Sequence, residues 1–513
     1  MSFRTVSSDV KCRADSRRAA SWLRSVFKRH GAVTELLSTE QGCNPVVFAE
    51  FRRNLIKQNT KTRILFYGHY DVVAAKNTQD KGWSANPFSM HGKDGYVYGR
   101  GVTDNKGPVM AAIYAVAELV AQHSLECDVV FLIEGEEERG SRGFKQAIVQ
   151  SKNLIGSVDY ILLANSYWLD DEVPCLTYGL RGVIHATVEV HSDEPDLHSG
   201  VDGSKLLDEP VKDLMSLLAR LTGPHGKVQI PQFYDDVKSV TAQEKLLYEE
   251  IARTLIERNP DLGSSNNLIN SLLARWADAT LSIHNFKTSG PQNSTIIPRH
   301  AQASLSLRLV PNQSVAQIAF DLSTYLNAEF ARLESKNHLT VTIGNQAEPW
   351  LGDYNNKLFQ TLERAIMEVW SPRVPRRTSL SSQPPTARSV NGRRPSTGAK
   401  GAPATSSTLA QGSSTPVILP TDKTPLSPPI MDSPLSMTPS TTFPRARRPL
   451  YIREGGSIPA IRFLEKEFGA PAAHLPCGQA SDNAHLDNER IRVLNLYNSK
   501  EIFRKVFVEL PRG

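Results

Sequence analysis

Strand-length apolar runs spaced along the first third of the chain are the feature that most limits its fold. Three of them, "TRILFYGHYDVV", "CDVVFLIEGEEE" and "VDYILLANS", are rich in β-branched residues, and "GPVMAAIYAVAELVAQH" between the first two has a helical period. Continuous apolar runs are typical of strands that are buried on both faces, as in parallel sheets. The pattern predicts an α/β fold with a mostly parallel sheet, in which ligands bind outside the carboxyl ends of the strands.

The pattern changes at Gly182, where alternating runs replace continuous ones. Strand-like and helix-like segments follow in the order β-α-β-β-α-β, from "GVIHATVEVHS" to "HLTVTIG", which is the ferredoxin-like order. The chain has 513 residues, more than a single core usually serves, so at least two domains are expected. We predict that residues 182–345 form a ferredoxin-like domain inserted into a first domain that comprises 1–181, 346–371 and 449–513.

Residues 372–448 differ in composition from the rest of the chain. They are rich in Ser, Thr and Pro and contain nine Arg and two Lys against two Asp, a formal charge of +9, which leaves −3 for the remainder of a chain whose total is +6. Such a segment buries too little apolar surface to offset the entropy of ordering it, so we predict a disordered insertion. Because the basic excess belongs to this segment, no nucleic-acid partner is expected.

The cysteine pattern and the hydropathy bear on cellular location. Five scattered cysteines without a C-x-x-C pair are typical of reduced thiols in the cytoplasm. No apolar stretch approaches the roughly 18 residues that a membrane-spanning helix needs. The N-terminal residues also lack the apolar run of a secretory signal. The sequence therefore predicts a cytoplasmic protein without a membrane partner.

Potential metal ligands stand where the predicted strands end and where the helix begins. They are His69, Asp71, Asp104, Glu137 and Glu138, together with His485 near the C-terminus. Mixed histidine and carboxylate ligands suit Zn²⁺ or a similar divalent ion, and a shared carboxylate can bridge two ions about 3.5–4 Å apart. A single H-x-D step or an acidic run is more often an ordinary solvated loop. Position alone leaves both interpretations open.

Eight motifs, in order from about residue 60 to the C-terminus, add a family resemblance. They read "GHYDVV", "GWSANPFSMHGKDGYVYGRGVTDNKGP", "EGEEERGS", "YWLDDEVPCLTYGLRG", "DLHSGV", "TIIPRHAQASLSLRLVP", "REGGSIP" and "SDNAH". Together they resemble the M20 metallopeptidases, and in particular the branch of cytosolic Cys-Gly and carnosine-type dipeptidases. The resemblance implies a metallopeptidase domain with an inserted lid domain that also mediates dimerisation.

The resemblance implies a role for each potential metal ligand. His69 corresponds to the first ligand, Asp104 to the carboxylate that bridges two ions, and Glu138 and His485 to the remaining ligands. The implied metal is Zn²⁺, with Mn²⁺ as an alternative. A small peptide is the implied substrate.

Catalytic and substrate-binding roles are implied in the same way. Asp71 corresponds to the carboxylate that orients the first ligand. Glu137 corresponds to the general base that accepts a proton from the attacking water. The substrate-binding positions are His198, which serves the active site of the neighbouring subunit, Thr295, Ser457 and Arg308, whose guanidinium suits a C-terminal carboxylate.

One position departs from the family pattern. An aspartate ligand followed by an asparagine is expected before "YWL", but Asn165 and Ser166 stand there. An asparagine can offer a carbonyl oxygen, but it lacks the charge that balances a divalent cation. The sequence thus predicts a weakened half-site beside His69 and an intact one around Glu138 and His485, with one or two ions per chain.

Two functions are compatible with this departure. The first, which we expect, is metal-dependent hydrolysis of small peptides in the breakdown of glutathione or Cys-Gly, by a homodimer formed through the inserted domain. The second is a catalytically weak or inactive scaffold. This alternative arises because the motifs are also similar to the M20 portion of the large subunit of a fungal glutathione-degrading complex, which works with a glutamine-amidotransferase-like partner.

Overall fold

The computed structural model describes residues 2–54, 61–75, 82–291, 293–371 and 448–512. The predicted disordered insertion at 372–448 lies outside these residues except for Arg448, so its predicted disorder stays a prediction. The described residues belong to one compact unit.

The described residues contain 18 strands and 11 α-helices. The strands, β1 to β18 in chain order, are Val33–Leu37, Val46–Phe51, Arg63–His69, His91–Lys93, Tyr96–Tyr98, Asp128–Glu134, Tyr160–Leu163, Cys175–Leu180, Gly182–His191, Leu197–His198, Thr280–Thr288, Ile296–Ile297, His300–Leu309, His338–Ala347, Trp350–Leu351, Leu450–Glu454, Ala472–His474 and Arg490–Arg492. The α-helices, α1 to α11, are Arg13–Arg29, Lys106–Ala121, Phe144–Gln150, Lys152–Ile155, Pro210–Ala219, Ala242–Arg258, Ser265–Trp276, Val315–Ala331, Lys357–Val369, Pro459–Phe468 and Val493–Glu509.

The largest sheet has the strand order β1-β2-β6-β3-β7-β17-β8-β15, with β16 also paired to β8. Its middle strands β6, β3, β7 and β17 run parallel, whereas β1, β2 and β15 are joined to their neighbours antiparallel. In the register, His69 at the end of β3 pairs with Glu134 at the end of β6. The carboxyl ends of the parallel strands therefore meet at one edge, and the predicted α/β fold with a mostly parallel central sheet is confirmed.

The core of this sheet is made by long apolar side chains on strands that are buried almost throughout. Strands β3 and β6 are buried at every position after the first, as expected for strands that are covered on both faces. Phe131 of β6 is fully buried, and its ring centroid lies 5.0 Å from that of Phe27, 5.2 Å from that of Phe66 and 5.9 Å from that of Phe51. These four rings join helix α1 to three neighbouring strands.

A second sheet has four antiparallel strands in the order β11-β13-β9-β14. On β13, half-buried and buried positions alternate from His300 to Leu309. The buried face packs against α5 and α8 through residues such as Leu217 and Leu322, and the other face is polar. These elements occur in the predicted β-α-β-β-α-β order. The boundaries 182–345 and the lid role of this region stay predictions.

Two helices within this region, α6 and α7, are not predicted by the sequence pattern. They pack on each other and on β8 and β16 of the first sheet, in a cluster that includes Tyr248, Trp276, Trp168 and Ile452. The rings of Tyr248 and Trp276 lie 5.8 Å apart. Helices α6 and α7, which lie between β9 and β11 in the chain, therefore pack against the larger sheet and not against the second sheet.

The state of the cysteines and the length and polarity of the helices can be compared with the expectations from the sequence. All five cysteines are free thiols, and all but Cys12 are buried. In the part of the chain that is described, every helix is too short or too polar to cross a membrane.

The aromatic cluster around Phe131 is expected to be a main source of stability. Phe131→Ala should lower the free energy of unfolding by about 3–5 kcal/mol, because it removes a fully buried ring and leaves a cavity among the other three. Denaturant titration measures the loss. Phe320→Ala is the matched control, because Phe320 on α8 is 66% exposed and its loss should change the same quantity by less than about 0.5 kcal/mol. Equal losses in the two variants would contradict this account of the core.

Candidate metal centre

The carboxyl ends of the parallel strands bring the predicted ligands to one edge of the central sheet. Strand β3 ends at His69, and β6 is soon followed by the single helical turn Glu137–Arg139. Asp104 lies two residues before α2 begins. A Cβ atom on Gly68 would come within 2.6 Å of Cγ2 of Val109 in α2. A glycine at this position therefore lets the helix begin close to the strand.

Four predicted ligands form one contiguous cluster. Ligand atoms of His69, Asp104 and Glu138 all lie within 4.8 Å of one another. Asp104 is central, because one of its carboxylate oxygens is 3.0 Å from His69 Nε2 and the other is 2.9 Å from His485 Nε2. His485 Nε2 also lies 3.1 Å from Glu138 Oε2. The tertiary structure thus brings together side chains from the first 140 residues and from the C-terminal region.

The donors in this cluster fit a divalent cation. They are histidine nitrogens and carboxylate oxygens, which is a ligand set that Zn²⁺ takes in proteins. Oε1 of Glu138 is buried and has no hydrogen-bond partner among the described residues. A buried oxygen without a partner is costly, and a coordinated cation satisfies it.

The pKa shifts within the cluster also favour a bound divalent cation. Burial opposes ionisation of Asp104, but hydrogen bonds from His485 and His69 outweigh it and lower the pKa of that carboxyl. Burial raises the pKa of Glu137 well above its usual range, and the charges of Glu138 and Asp104 add to the shift. Hydrogen bonds to Asp104 and Glu138 raise the pKa of His485 to about 10. Carboxylates crowd this edge of the sheet, and a divalent cation offsets their mutual repulsion.

Asp71 is fully buried behind the cluster. Its two carboxylate oxygens accept hydrogen bonds from the backbone N–H groups of Glu137, at 3.2 Å, and Glu138, at 3.1 Å. Asp71 Oδ1 also lies 3.4 Å from Nδ1 of His69. One carboxylate therefore contacts both the histidine and the glutamate turn, and its orienting role stays a prediction.

Asn165 lies beside His69, at the corner where the sequence departs from the family pattern. Its side-chain oxygen accepts a hydrogen bond from the backbone N–H of Ser166 at 2.6 Å, and its Nδ2 is 3.5 Å from His69 Nε2. The backbone carbonyl of Asn165 is 2.8 Å from Nε2 of the buried His474. The amide oxygen is thus engaged by the backbone, and an amide nitrogen stands next to the histidine.

Glu489 is not among the predicted site residues, yet it holds the Asp104 segment in place. Its side chain is almost fully buried, and Oε2 accepts from Arg100 Nη1 at 2.8 Å and from the Gly101 N–H at 2.9 Å. Oε1 accepts from the N–H groups of Thr103, at 3.0 Å, and Asp104, at 3.1 Å. No local signal in "SDNAHLDNE" indicates these partners, which lie almost 400 positions earlier in the chain.

Asn105 is a second residue that the sequence analysis misses. It is fully buried, its Oδ1 accepts from the His69 N–H at 3.2 Å, and its Nδ2 donates to the backbone carbonyl of Ala164. One amide therefore joins the ends of β3 and β7 to the start of α2. The motif "TDNKG" contains this residue, but only the tertiary contacts show its role.

His198 and Thr295 lie together on a two-stranded ribbon outside the cluster. Strand β10 pairs with β12, and His198 is opposite Ile296. The His198 side chain is exposed, and its Nδ1 accepts a hydrogen bond from the Gly200 N–H at 3.1 Å. Among the described residues, neither His198 nor Thr295 contacts the four clustered ligands of its own chain.

Arg308 and Ser457 are brought together by the packing of the second sheet on the C-terminal segment. Nη1 of Arg308 donates to Ser457 Oγ at 3.1 Å, and Ser457 Oγ donates to the backbone carbonyl of Arg181 at 2.5 Å. The two predicted substrate-binding residues therefore share one location, apart from the ribbon that carries the other two.

Comparison with known proteins defines the family. The signature described as Peptidase family M20/M25/M40 matches residues 65–387. The chain is 38% identical over 518 residues to the "Probable di- and tripeptidase DUG2" of Saccharomyces cerevisiae, which covers 99% of this chain and 49% of that relative. It is 29% identical over 464 residues to the "Cys-Gly metallodipeptidase DUG1" of Candida albicans, which covers 88% of this chain and 79% of that relative.

A solved structure supports the same assignment. The crystal structure of human carnosine dipeptidase 1 superposes with a TM-score of 0.73 at 25% identity, covering 100% of this chain and 94% of the other. The chain spans about half the length of the DUG2 relative. The family signature extends over more than half of the chain. The chain therefore belongs to the M20/M25/M40 peptidase family.

Proposed function

We propose that this chain hydrolyses small peptides in a metal-dependent reaction. M20 metallopeptidases use divalent metal ions, and the two relatives are named as a di- and tripeptidase and as a Cys-Gly metallodipeptidase. The observation that carries the proposal is the cluster of His69, Asp104 and Glu138 with Glu137 in the adjoining turn.

The chemistry follows from the positions of the side chains. His69, Asp104, Glu138 and His485 would hold the cation, which when bound supplies Lewis-acid polarisation of the scissile carbonyl. The carboxylate of Glu137 accepts a proton from the attacking water and passes it to the leaving amine. Burial raises the pKa of Glu137, and a bound divalent cation would lower it again, so that the side chain is ionised and can accept the proton. Zn²⁺ is the proposed metal, with Mn²⁺ as the alternative.

The breakdown of glutathione or Cys-Gly in the cytoplasm is the proposed setting. The motif resemblance to the Cys-Gly and carnosine-type branch supports the peptide class. Five free cysteines support a reducing compartment.

Glu137→Gln should separate catalysis from metal binding. With added Zn²⁺ or Mn²⁺, the unmodified protein should release glycine from Cys-Gly, and Glu137→Gln should lower kcat by about 10²–10⁴-fold because the proton acceptor is lost. Elemental analysis should show the same metal content in both proteins. Glu257→Gln, an exposed position on α6, is the control and should keep full activity.

A scaffold function is the second candidate, and Asn165 is the observation that favours it. If the unmodified protein hydrolyses neither Cys-Gly nor glutathione but binds an amidotransferase-like protein, the peptidase proposal is wrong and the scaffold proposal stands. Retained binding would then be expected in Glu137→Gln as well, because that change leaves the surface intact.

Asn165→Asp should increase the metal content of the protein. The substitution places a carboxylate beside His69, where the amide nitrogen now lies 3.5 Å from the ring, and a negative charge strengthens the hold on a divalent cation. Elemental analysis of protein purified without chelator measures the number of ions per chain. Asn267→Asp on α7 makes the same charge change at an exposed position and should have no effect. Equal metal content in all three proteins would contradict the weakened half-site.

We further propose that the protein is a homodimer in which His198 serves the neighbouring subunit. His198 is exposed on the ribbon and makes no contact with the clustered ligands of its own chain among the described residues. Glu137→Gln and His198→Ala should each be inactive, but co-expressed chains should recover about a quarter of the normal activity, because half of the dimers then contain one intact site. No recovery above the separate variants would show that His198 acts within its own chain or not at all.

A further inference from the structure

Two arginines lie side by side where the second sheet meets the C-terminal segment. Arg308 Nη1 donates to Ser457 Oγ, and the Arg181 backbone carbonyl accepts from that same hydroxyl. The guanidinium of Arg181 contacts the same loop, and its Nε donates to the backbone carbonyl of Gly455 at 3.3 Å. Arg308 also pairs in register with Thr280, which Arg181 Nη1 contacts at 3.5 Å.

Within the described part of the chain, neither guanidinium forms an ion pair with a carboxylate. Among the described residues, no carboxylate oxygen lies within 4.0 Å of Arg181 or Arg308, and their hydrogen-bond acceptors are all neutral oxygens. Burial, followed by the charge of Arg308, lowers the pKa of Arg181 to about 10, and the negative charge of Asp278 opposes this shift only in part. Two half-buried cations of like charge repel each other and lose hydration, so an anionic ligand stabilises the pair.

The arginine pair and the candidate metal centre are connected through the loop that follows strand β16. The loop Gly455–Ser457 begins after Glu454, whose carboxylate accepts from Ser166 Oγ at 2.5 Å. Ser166 directly follows Asn165, which stands beside His69. A Cβ atom on Gly456 would meet no heavy atom within 4 Å, so there is open space next to the loop. The loop next to the arginines is therefore linked to the Asn165 corner of the candidate metal centre through Glu454 and Ser166.

We propose that Arg181 and Arg308 form a dicationic subsite that binds peptides with an acidic C-terminal residue, whose main-chain and side-chain carboxylates meet one guanidinium each. The proposal rests on the proposed function for its ligand being a peptide. The family resemblance implies a carboxylate-binding role for Arg308 only. The second charge, from Arg181, is what makes a ligand with two carboxylates the better match for this site.

Isothermal titration calorimetry with two small acids tests the subsite without any turnover. Glutarate has the two carboxylates of a glutamate residue at the same separation, and its monoamide, glutaramate, has the same length with one carboxylate. The unmodified protein should bind glutarate about tenfold more tightly than glutaramate. Arg181→Gln should abolish this preference while binding of glutaramate changes little. Arg308→Gln should weaken both ligands.

Two further variants make the outcome decisive. Arg332→Gln, at the residue that caps the C-terminus of helix α8, should leave both affinities unchanged. Arg181→Lys keeps a charge and should keep part of the preference, which answers the objection that Arg181→Gln misfolds. Equal binding of the two acids by the unmodified protein, or a preference that survives Arg181→Gln, would overturn the proposal. If the protein fails to cleave Cys-Gly but prefers glutarate, the proposed peptide hydrolysis is wrong and the proposed subsite stands.

Discussion

The buried carboxylate of Glu489 is the interaction on which the candidate metal centre depends. It accepts four hydrogen bonds from the segment between Arg100 and Asp104, and it lies four residues after His485 in the chain. The two segments that supply ligands from opposite ends of the chain are thereby fixed relative to each other. Asn105 makes the corresponding link on the other side, from α2 to the ends of β3 and β7. Hydrogen-bonded supports of this kind set how well a site holds its ion.

At Asn165, the loss of the negative charge of the expected aspartate matters more than the small change in side-chain shape, because carboxylates balance the charge of a cation. Burial and neighbouring negative charges raise the pKa values of Glu137 and Glu138, whereas hydrogen bonds from His485 and His69 lower the pKa of Asp104. An aspartate in place of Asn165 would add to the charge that balances a second cation, whereas the amide turns its oxygen to the backbone. The same reasoning applies to the two arginines, where the excess charge has the opposite sign and calls for an anion.

The strands that carry the site could be predicted from the sequence because their burial leaves a local trace. Continuous apolar runs mark β3, β6 and β7, and alternation marks β9 and β13. Helices α6 and α7 could not be predicted in this way, since they bury few residues and pack against strands that lie far away in the chain. Glu489 and Arg181 are missed for a similar reason, because the role of each depends on partners that are distant in sequence.

By itself, the sequence determined the order of the strands, the chemistry of the residues at their ends and the substitution at Asn165. These follow from side-chain periodicity and ligand chemistry, which are properties of short segments. The tertiary structure decided which atoms meet: Asp104 lies between His69 and His485, and Arg181 and Arg308 both contact Ser457. Such contacts depend on strand order, register and helix packing, and separation along the chain carries no information about them.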